Sequence, residues 1–96
     1  MRHRWVVAYD ISDPKRLRSV YHVMRGYGVH VQLSVFECDL SAAHRISLES
    51  DLLAVMNARE DQVLFYDLGP TEGLSEDRIQ YLGRPHNPVR REPRVV

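Results

Sequence analysis

The stretch Trp5-Val6-Val7-Ala8-Tyr9-Asp10-Ile11-Ser12-Asp13-Pro14 joins an apolar run to a basic segment. The apolar residues of Arg4–Tyr9 are consecutive rather than alternating, which predicts a strand buried on both faces. Asp13 and Pro14 predict a helix start, with an N-cap acid followed by proline at the first helical position. Asp10 therefore lies where a core strand ends, a position from which functional groups can reach solvent.

The next two segments have clear periodicities. An apolar stripe at helical spacing predicts a helix that ends at Gly26–Gly28, where glycine is free to take a left-handed cap. The stripe consists of Leu17, Val20, Tyr21 and Met24. Val29–Cys38 is rich in β-forming residues, and its alternation predicts that Val29, Val31, Leu33 and Val35 form a core face. The pattern leaves open whether this segment is one strand or two strands bent near Leu33.

The second half of the chain follows the same order of elements. Ser41 predicts the cap of a second helix running to about Asn57, and Val63–Tyr66 predicts another buried strand. Glycine and proline are frequent after Gly69, and one short strand is predicted at Arg78–Leu82. We therefore predict a domain over residues 1–83 and a basic, proline-containing tail over residues 84–96.

The composition, with 44% hydrophobic and 27% charged residues, is that of an ordinary globular protein. No stretch approaches the roughly 20 apolar residues that span a bilayer, and a single cysteine favours a reducing compartment. We therefore expect a cytoplasmic protein without a membrane partner. The net charge is zero, but residues 1–30 hold six basic residues against two acids. This asymmetry suits a polyanion partner, and equally suits a set of solvated surface charges.

Strands buried on both faces need a cover on each side of the sheet. Two helices cover one face, and a second copy of the same sheet covers the other most simply. We therefore predict a symmetric homodimer. A ligand or a different protein on that face is the alternative.

Familiar catalytic motifs are absent from the sequence. The five histidines and Cys38 show no zinc-ligand spacing, and no nucleophile elbow, Walker loop or dinucleotide fingerprint occurs. Phe36 is either a core residue or a base-stacking platform. Asp10 is either a turn-former that bonds the backbone of Ser12 or Asp13, or a ligand for Mg²⁺ or Mn²⁺. One carboxylate makes a weak site, but a two-fold axis near the strand end would bring two Asp10 side chains together.

Two motifs in these segments resemble the small CRISPR-associated Cas2 family. They are Tyr-Asp-Ile-x-Asp-x-x-Arg, from Tyr9 to Arg16, and Tyr-Gly-x-x-Val-Gln-x-Ser-Val-Phe-Glu-Cys, from Tyr27 to Cys38. The resemblance covers roughly residues 4–83. It implies an α+β, ferredoxin-like βαββαβ sandwich, with Val29–Cys38 split into two strands. It also implies an additional C-terminal strand that is exchanged in a homodimer.

The same resemblance implies a function and a site. The function is spacer acquisition in antiviral defence, with metal-dependent endonuclease activity on single-stranded RNA or double-stranded DNA. The catalytic metal ligand for Mg²⁺ or Mn²⁺ would be Asp10, one from each subunit. The implied nucleic-acid contacts are Tyr9, Arg16, Arg18, Ser34 and Phe36. The implied partners are a second copy, CRISPR integrase dimers and nucleic acid.

Two functions follow, and the sequence does not choose between them. In the first, the protein is a metal-dependent endonuclease that uses Asp10. In the second, it is a non-catalytic, DNA-binding homodimer that bridges integrase dimers during spacer integration. No histidine or lysine base stands next to Asp10, which keeps the second function open. If the resemblance is set aside, a third possible function is that of a regulatory domain that binds a small ligand.

Overall fold

A four-stranded antiparallel sheet with two helices forms the described part of the chain. The computed structural model describes residues 1–74 and 80–84. The elements are β1 (Arg2–Asp10), α1 (Pro14–Arg25), β2 (Val29–Gln32), β3 (Val35–Ser41), α2 (Ala42–Val55) and β4 (Gln62–Pro70). The strand order is β2-β3-β1-β4, and every neighbouring pair is antiparallel. The predicted α+β class and βαββαβ order are confirmed.

Both helices pack on the sheet face that carries Val7. In the register, Val7 lies between Phe36 of β3 and Phe65 of β4, so alternate residues of these strands share that face. Helix residues join them in one core, whose buried members are Val7, Tyr9, Ile11, Val20, Met24, Phe36, Cys38, Leu40, Leu48 and Leu52. The central strand β1 thus holds its last residue, Asp10, on a rigid scaffold.

Helix α1 begins as predicted. The Asp13 carboxylate accepts a hydrogen bond of 2.9 Å from the Arg16 backbone N–H, and Pro14 follows it. The predicted left-handed cap is wrong, because Gly26 caps the helix in a right-handed conformation with φ −75°. Packing requires glycine instead at Gly28, where a Cβ would collide with Cys38 Sγ and the Glu37 carbonyl oxygen.

The segment after α1 forms two strands. Leu33 has a positive φ of 33° in the tight turn between β2 and β3, and its carbonyl oxygen lies 2.7 Å from His30 Nε2. The predicted core face is wrong for the single chain. Val35 pairs with Ala8 on the side away from the helices, Leu33 is 87% exposed, and the helices bury the alternate set that includes Phe36.

The second face of the sheet, which we call the open face, is apolar at its centre. It carries Val6, Ala8 and Val35, which are half-buried. Leu64 and Tyr66 pair with Ala8 and Val6 on the same face and remain 41% and 53% exposed. This is the face for which a second copy was predicted.

The C-terminal predictions fall mostly beyond the described residues. The tail 85–96 and the first half of the predicted strand Arg78–Leu82 lie outside them, while residues 80–82 carry no strand. The exchanged strand therefore stays a prediction. No helix within residues 1–74 and 80–84 is long and apolar enough to cross a membrane.

Candidate functional site

Asp10 is exposed at the end of β1, beside the β2–β3 turn. Its register partner in β4 is Gln62, and the preceding Tyr9 N–H donates a 3.0 Å hydrogen bond to the Ser34 carbonyl oxygen. The Asp10 carboxylate accepts no hydrogen bond from any residue in the described part of the chain. The Ser12 N–H donates to Asp61 at 3.0 Å instead, so Asp10 is not the turn-former of this loop.

A buried carboxylate, Asp61, lies beneath that loop. Its Oδ1 accepts hydrogen bonds from the Ser12 N–H (3.0 Å), the Ser12 hydroxyl (3.2 Å) and Arg16 Nη2 (3.2 Å). Its Oδ2 accepts from Arg16 Nε (2.8 Å) and the Asn57 N–H (2.8 Å). The Asp61 side chain is fully buried, whereas that of Arg16 is 27% exposed. This network, which we call the Asp61 clamp, joins the β1–α1 loop, α1 and the α2–β4 loop.

The clamp fixes the charge state of its members. Hydrogen bonding to Arg16 holds the pKa of Asp61 well below its ordinary value, although burial opposes this. The hydrogen bond to Asp61 in turn raises the pKa of Arg16. Arg16 Nη2 also donates to Glu60 at 3.1 Å and to the Ser12 hydroxyl at 3.1 Å. The predicted contact between Arg16 and a phosphate stays a prediction. In the structure, Arg16 Nε and Nη2 donate hydrogen bonds to side chains of the same chain.

Arg18 lies on a different side of α1, in an exposed row of basic side chains. The row, which we call the basic stripe, consists of Lys15, Arg18, His22 and Arg25. Spacings of three, four and three residues align these side chains on one side of the helix, opposite the buried Val20 and Met24. The α1 sequence contains no acid. Mixed signs are usual on a solvated helix face, so a stripe of one sign suits a polyanion.

Two predicted contact residues are part of the core. Phe36 is 0% exposed, with its ring centroid 4.9 Å from His30, 5.7 Å from Tyr21 and 6.2 Å from Tyr9. A base cannot stack on a ring that is enclosed in this way. Tyr9 is 7% exposed, and burial raises the pKa of its hydroxyl. In this conformation the Phe36 side chain packs in the core and does not contact nucleic acid. The Tyr9 side chain is mostly buried and also packs in the core.

The donor atoms near Asp10 suit half of a site for a hard cation. Mg²⁺ and Mn²⁺ prefer carboxylate and other oxygen ligands and keep several waters. Asp10 offers one exposed carboxylate, and Ser34 brings a half-buried hydroxyl-bearing residue to the same end of the sheet. No group of three His, Cys, Asp or Glu side chains that could hold a metal occurs among the residues described. One such carboxylate suits a divalent cation in its chemistry, and a second Asp10 from another copy would complete the pair.

Sequence reasoning missed Asp61. It ends the polar segment Asn57-Ala58-Arg59-Glu60-Asp61 between α2 and β4, which resembles an ordinary loop. Its partners Ser12 and Arg16 lie 49 and 45 residues away in the chain. The only available signal was an acid placed just before a predicted strand, and the predicted burial of that strand on both faces is wrong for the single chain, because Leu64 and Tyr66 are exposed.

Comparisons with known proteins agree with the geometry. Residues 1–73 match the family model described as CRISPR associated protein Cas2. A protein named CRISPR-associated endoribonuclease Cas2 1 from Rhodospirillum rubrum is 43% identical, over 98% of this chain and 91% of its own length. One from Geobacter sulfurreducens, named CRISPR-associated endoribonuclease Cas2, is 35% identical over the full length of both chains. The crystal structure of Streptococcus pyogenes Cas2 superposes with a TM-score of 0.71 and 33% identity, over 83% of this chain and 99% of that one.

Proposed function

The chain belongs to the CRISPR-associated Cas2 family, and on that basis we propose that it is a metal-dependent endoribonuclease of CRISPR defence. The predicted family and class of enzyme agree with relatives that are named endoribonucleases. The observation that carries the proposal is the Asp10 carboxylate, which is exposed at the end of the central strand and has no partner among the described residues. A carboxylate held by a rigid strand and free of internal bonds is available to a cation.

The proposed enzyme is a homodimer that pairs two open faces. The exposed Leu64 and Tyr66, together with half-buried Val6 and Val35, give this face an apolar centre. A two-fold interface repeats each contact, so burial of these residues contributes to the free energy of dimer formation once in each chain. A two-fold axis near the end of β1 would also supply the second Asp10 that a cation needs.

Each part of the site has a chemical task. When bound, Mg²⁺ or Mn²⁺ supplies charge neutralisation at the phosphate and a lowered pKa for a bound water. Asp10 would hold the cation with its carboxylate oxygens. Lys15, Arg18 and Arg25 of the basic stripe attract the flanking phosphates, because their charges are exposed and the helix carries no acid. Ser34 lies at the Asp10 end of the sheet, where its hydroxyl is a candidate contact.

Replacing Asp10 with Asn tests the proposal, because the change removes charge and keeps shape. We expect Mg²⁺-dependent cleavage of single-stranded RNA to be lost, while the dimer and its affinity for RNA persist. Chelation of the metal in the wild-type protein should have the same effect as the substitution. Glu72→Gln is the matched control, since it removes one exposed carboxylate elsewhere. Equal cleavage by Asp10→Asn and wild type would refute the proposal.

A second candidate function is a non-catalytic dimer that binds double-stranded DNA and bridges integrase dimers. Two observations favour it: the described residues contain no group of three His, Cys, Asp or Glu side chains that could hold a metal, and the basic stripe suits the phosphates of a duplex. Spacer integration by the Asp10→Asn protein separates the two candidates. Integration at the wild-type level would show that cleavage is not required for it. A loss of integration with DNA binding intact would favour the enzyme. We also propose a cytoplasmic location, which the single cysteine favours.

A further inference from the structure

We propose that Asp61 is a positioning residue for Asp10, and that Arg16 acts through Asp61 rather than on the phosphate of the substrate. The Asp61 clamp thereby sets where the proposed cation is held. This inference rests on the proposed function, because it assigns Asp61 and Arg16 roles at the same site.

The first support is the number of donors that meet at Asp61. Its two oxygens accept five hydrogen bonds, from Ser12 (two), Arg16 (two) and Asn57 (one), at 2.8–3.2 Å. A fully buried carboxylate with its acceptors occupied cannot reach a solvent-exposed cation itself. It can act only through the groups that it holds.

The second support is the orientation of Arg16. An arginine binds a phosphate best with two parallel N–H donors. Arg16 directs Nε and Nη2 to the two oxygens of Asp61, and Nη2 also serves Glu60 and the Ser12 hydroxyl. A phosphate that bound these two N–H groups would leave the buried Asp61 carboxylate without the arginine that pairs with it. A buried charge that loses its partner is costly in free energy.

The third support is the distance along the chain between the clamp and Asp10. Ser12 follows Asp10 by two residues, and the intervening Ile11 is in the core. Asp10 thus lies between two anchors. On one side is the pairing of β1 with β4, whose last pair is Asp10 and Gln62, and on the other side are the hydrogen bonds from Ser12 to Asp61. Without the second anchor, the packing of Ile11 is all that holds the segment directly after Asp10, and the end of the strand frays more easily. A shared two-carboxylate site tolerates little displacement of either carboxylate.

A double-mutant cycle tests the proposal, using Arg16→Ala, Asp61→Asn and the pair together. We expect Asp61→Asn to lower kcat about 10- to 100-fold, the usual effect of removing a residue that orients a metal ligand. KM for RNA should stay within about two-fold, and the double variant should be no worse than the poorer single variant, because both changes break one unit. Losses that multiply, or an Arg16→Ala protein with raised KM and unchanged kcat, would overturn the proposal.

The test must distinguish a general loss of stability from a displacement of Asp10. Leu48→Ala opens a cavity in the core under α2, away from the loop, and serves as a destabilised control. If it lowers kcat as much as Asp61→Asn at an equal loss of Tm, the positioning role is wrong. Should Asp61→Asn fail to fold, Ser12→Ala removes only the hydroxyl from the clamp. We then expect kcat to fall several-fold with KM unchanged, and a wild-type kcat would refute the role.

Two measurements without substrate keep this test independent of the proposed enzyme activity. Hydrogen exchange at the Ser12 amide should be faster in Asp61→Asn than in wild type, while exchange at the Val7 amide should be equal in the two. Mn²⁺ affinity, measured by water proton relaxation, should be lost in Asp10→Asn and about 10-fold or more weaker in Asp61→Asn. Absence of Mn²⁺ binding in the wild type would refute the proposed function. Equal Mn²⁺ affinity of wild type and Asp61→Asn would refute the positioning role alone.

Discussion

Replacement of Leu64 with Ser on the open face should weaken the proposed dimer. Leu64 is 41% exposed in the single chain, so less than half of its surface is left for a partner to cover. Full burial of a leucine side chain contributes about 1.5–3 kcal/mol. The part that a partner covers therefore contributes about 0.6–1.2 kcal/mol per chain, and about twice that in a symmetric dimer.

This free energy corresponds to a dissociation constant about 7- to 50-fold higher in the variant. Burial of the new hydroxyl without a hydrogen-bond partner adds to the loss. Analytical ultracentrifugation over a dilution series measures the constant, and far-ultraviolet circular dichroism shows that each variant is folded.

Leu53→Ser is the matched control, because it is the same change at a residue of α2 that is 54% exposed. Since α2 lies on the other side of the sheet, its dissociation constant should equal that of the wild type. Equal constants for Leu64→Ser and wild type would contradict the use of the open face. A wild-type protein that is monomeric at about 100 µM would contradict the dimer itself, since stable homodimers persist far below that concentration.

Three further predictions concern the chain itself. Loss of the N-cap in Asp13→Ala should lower the free energy of unfolding by about 1 kcal/mol, as measured by urea denaturation, and an unchanged midpoint would contradict the cap. The pKa of Asp61 is lowered in the folded state, so its stabilisation is full above the ordinary value of 3.8 and is lost as the pH falls below it. The Tm difference between wild type and Asp61→Asn should therefore shrink from about pH 6 to about pH 2, and a constant difference would argue against the ion pair. Burial raises the pKa of Cys38 to about 12, so about one thiol in ten thousand is ionised at pH 8. Ellman's reagent should modify the thiol rapidly in urea and hardly at all in the native protein, whereas rapid native reaction would mean that Cys38 is accessible.

Local chemistry accounts for the elements that the sequence predicts well. Asp13 and Pro14 specify the start of α1, and Ser41 specifies the start of α2, because each supplies a bond or a torsion angle to adjacent backbone. The turn at Leu33 had no such signal. A leucine with positive φ is unfavourable by itself, and it is held here by the pairing of the two flanking strands.

The two faces of β3 show what an alternating pattern cannot decide. Val35 and Phe36 are both apolar, so the pattern permits either face to meet the helices. The register with β1 places Phe36 beside Val7 and Val35 beside Ala8. The helix-facing set then makes the core of the chain, and the other set makes the open face. Both sets are apolar, and within residues 1–74 and 80–84 the two helices cover one of the two faces.

The arginines of α1 show the same limit at the candidate site. Arg16 and Arg18 are two residues apart, and residues at that spacing point to different sides of a helix. Only one of them can lie over the α2–β4 loop, and the structure gives that place to Arg16, where Asp61 meets it. Arg18 is left in the basic stripe, where its charge is available to a phosphate. Helix geometry therefore separates the two arginines: Arg16 pairs with Asp61 beneath the loop that follows Asp10, and Arg18 is the one that we propose contacts the substrate.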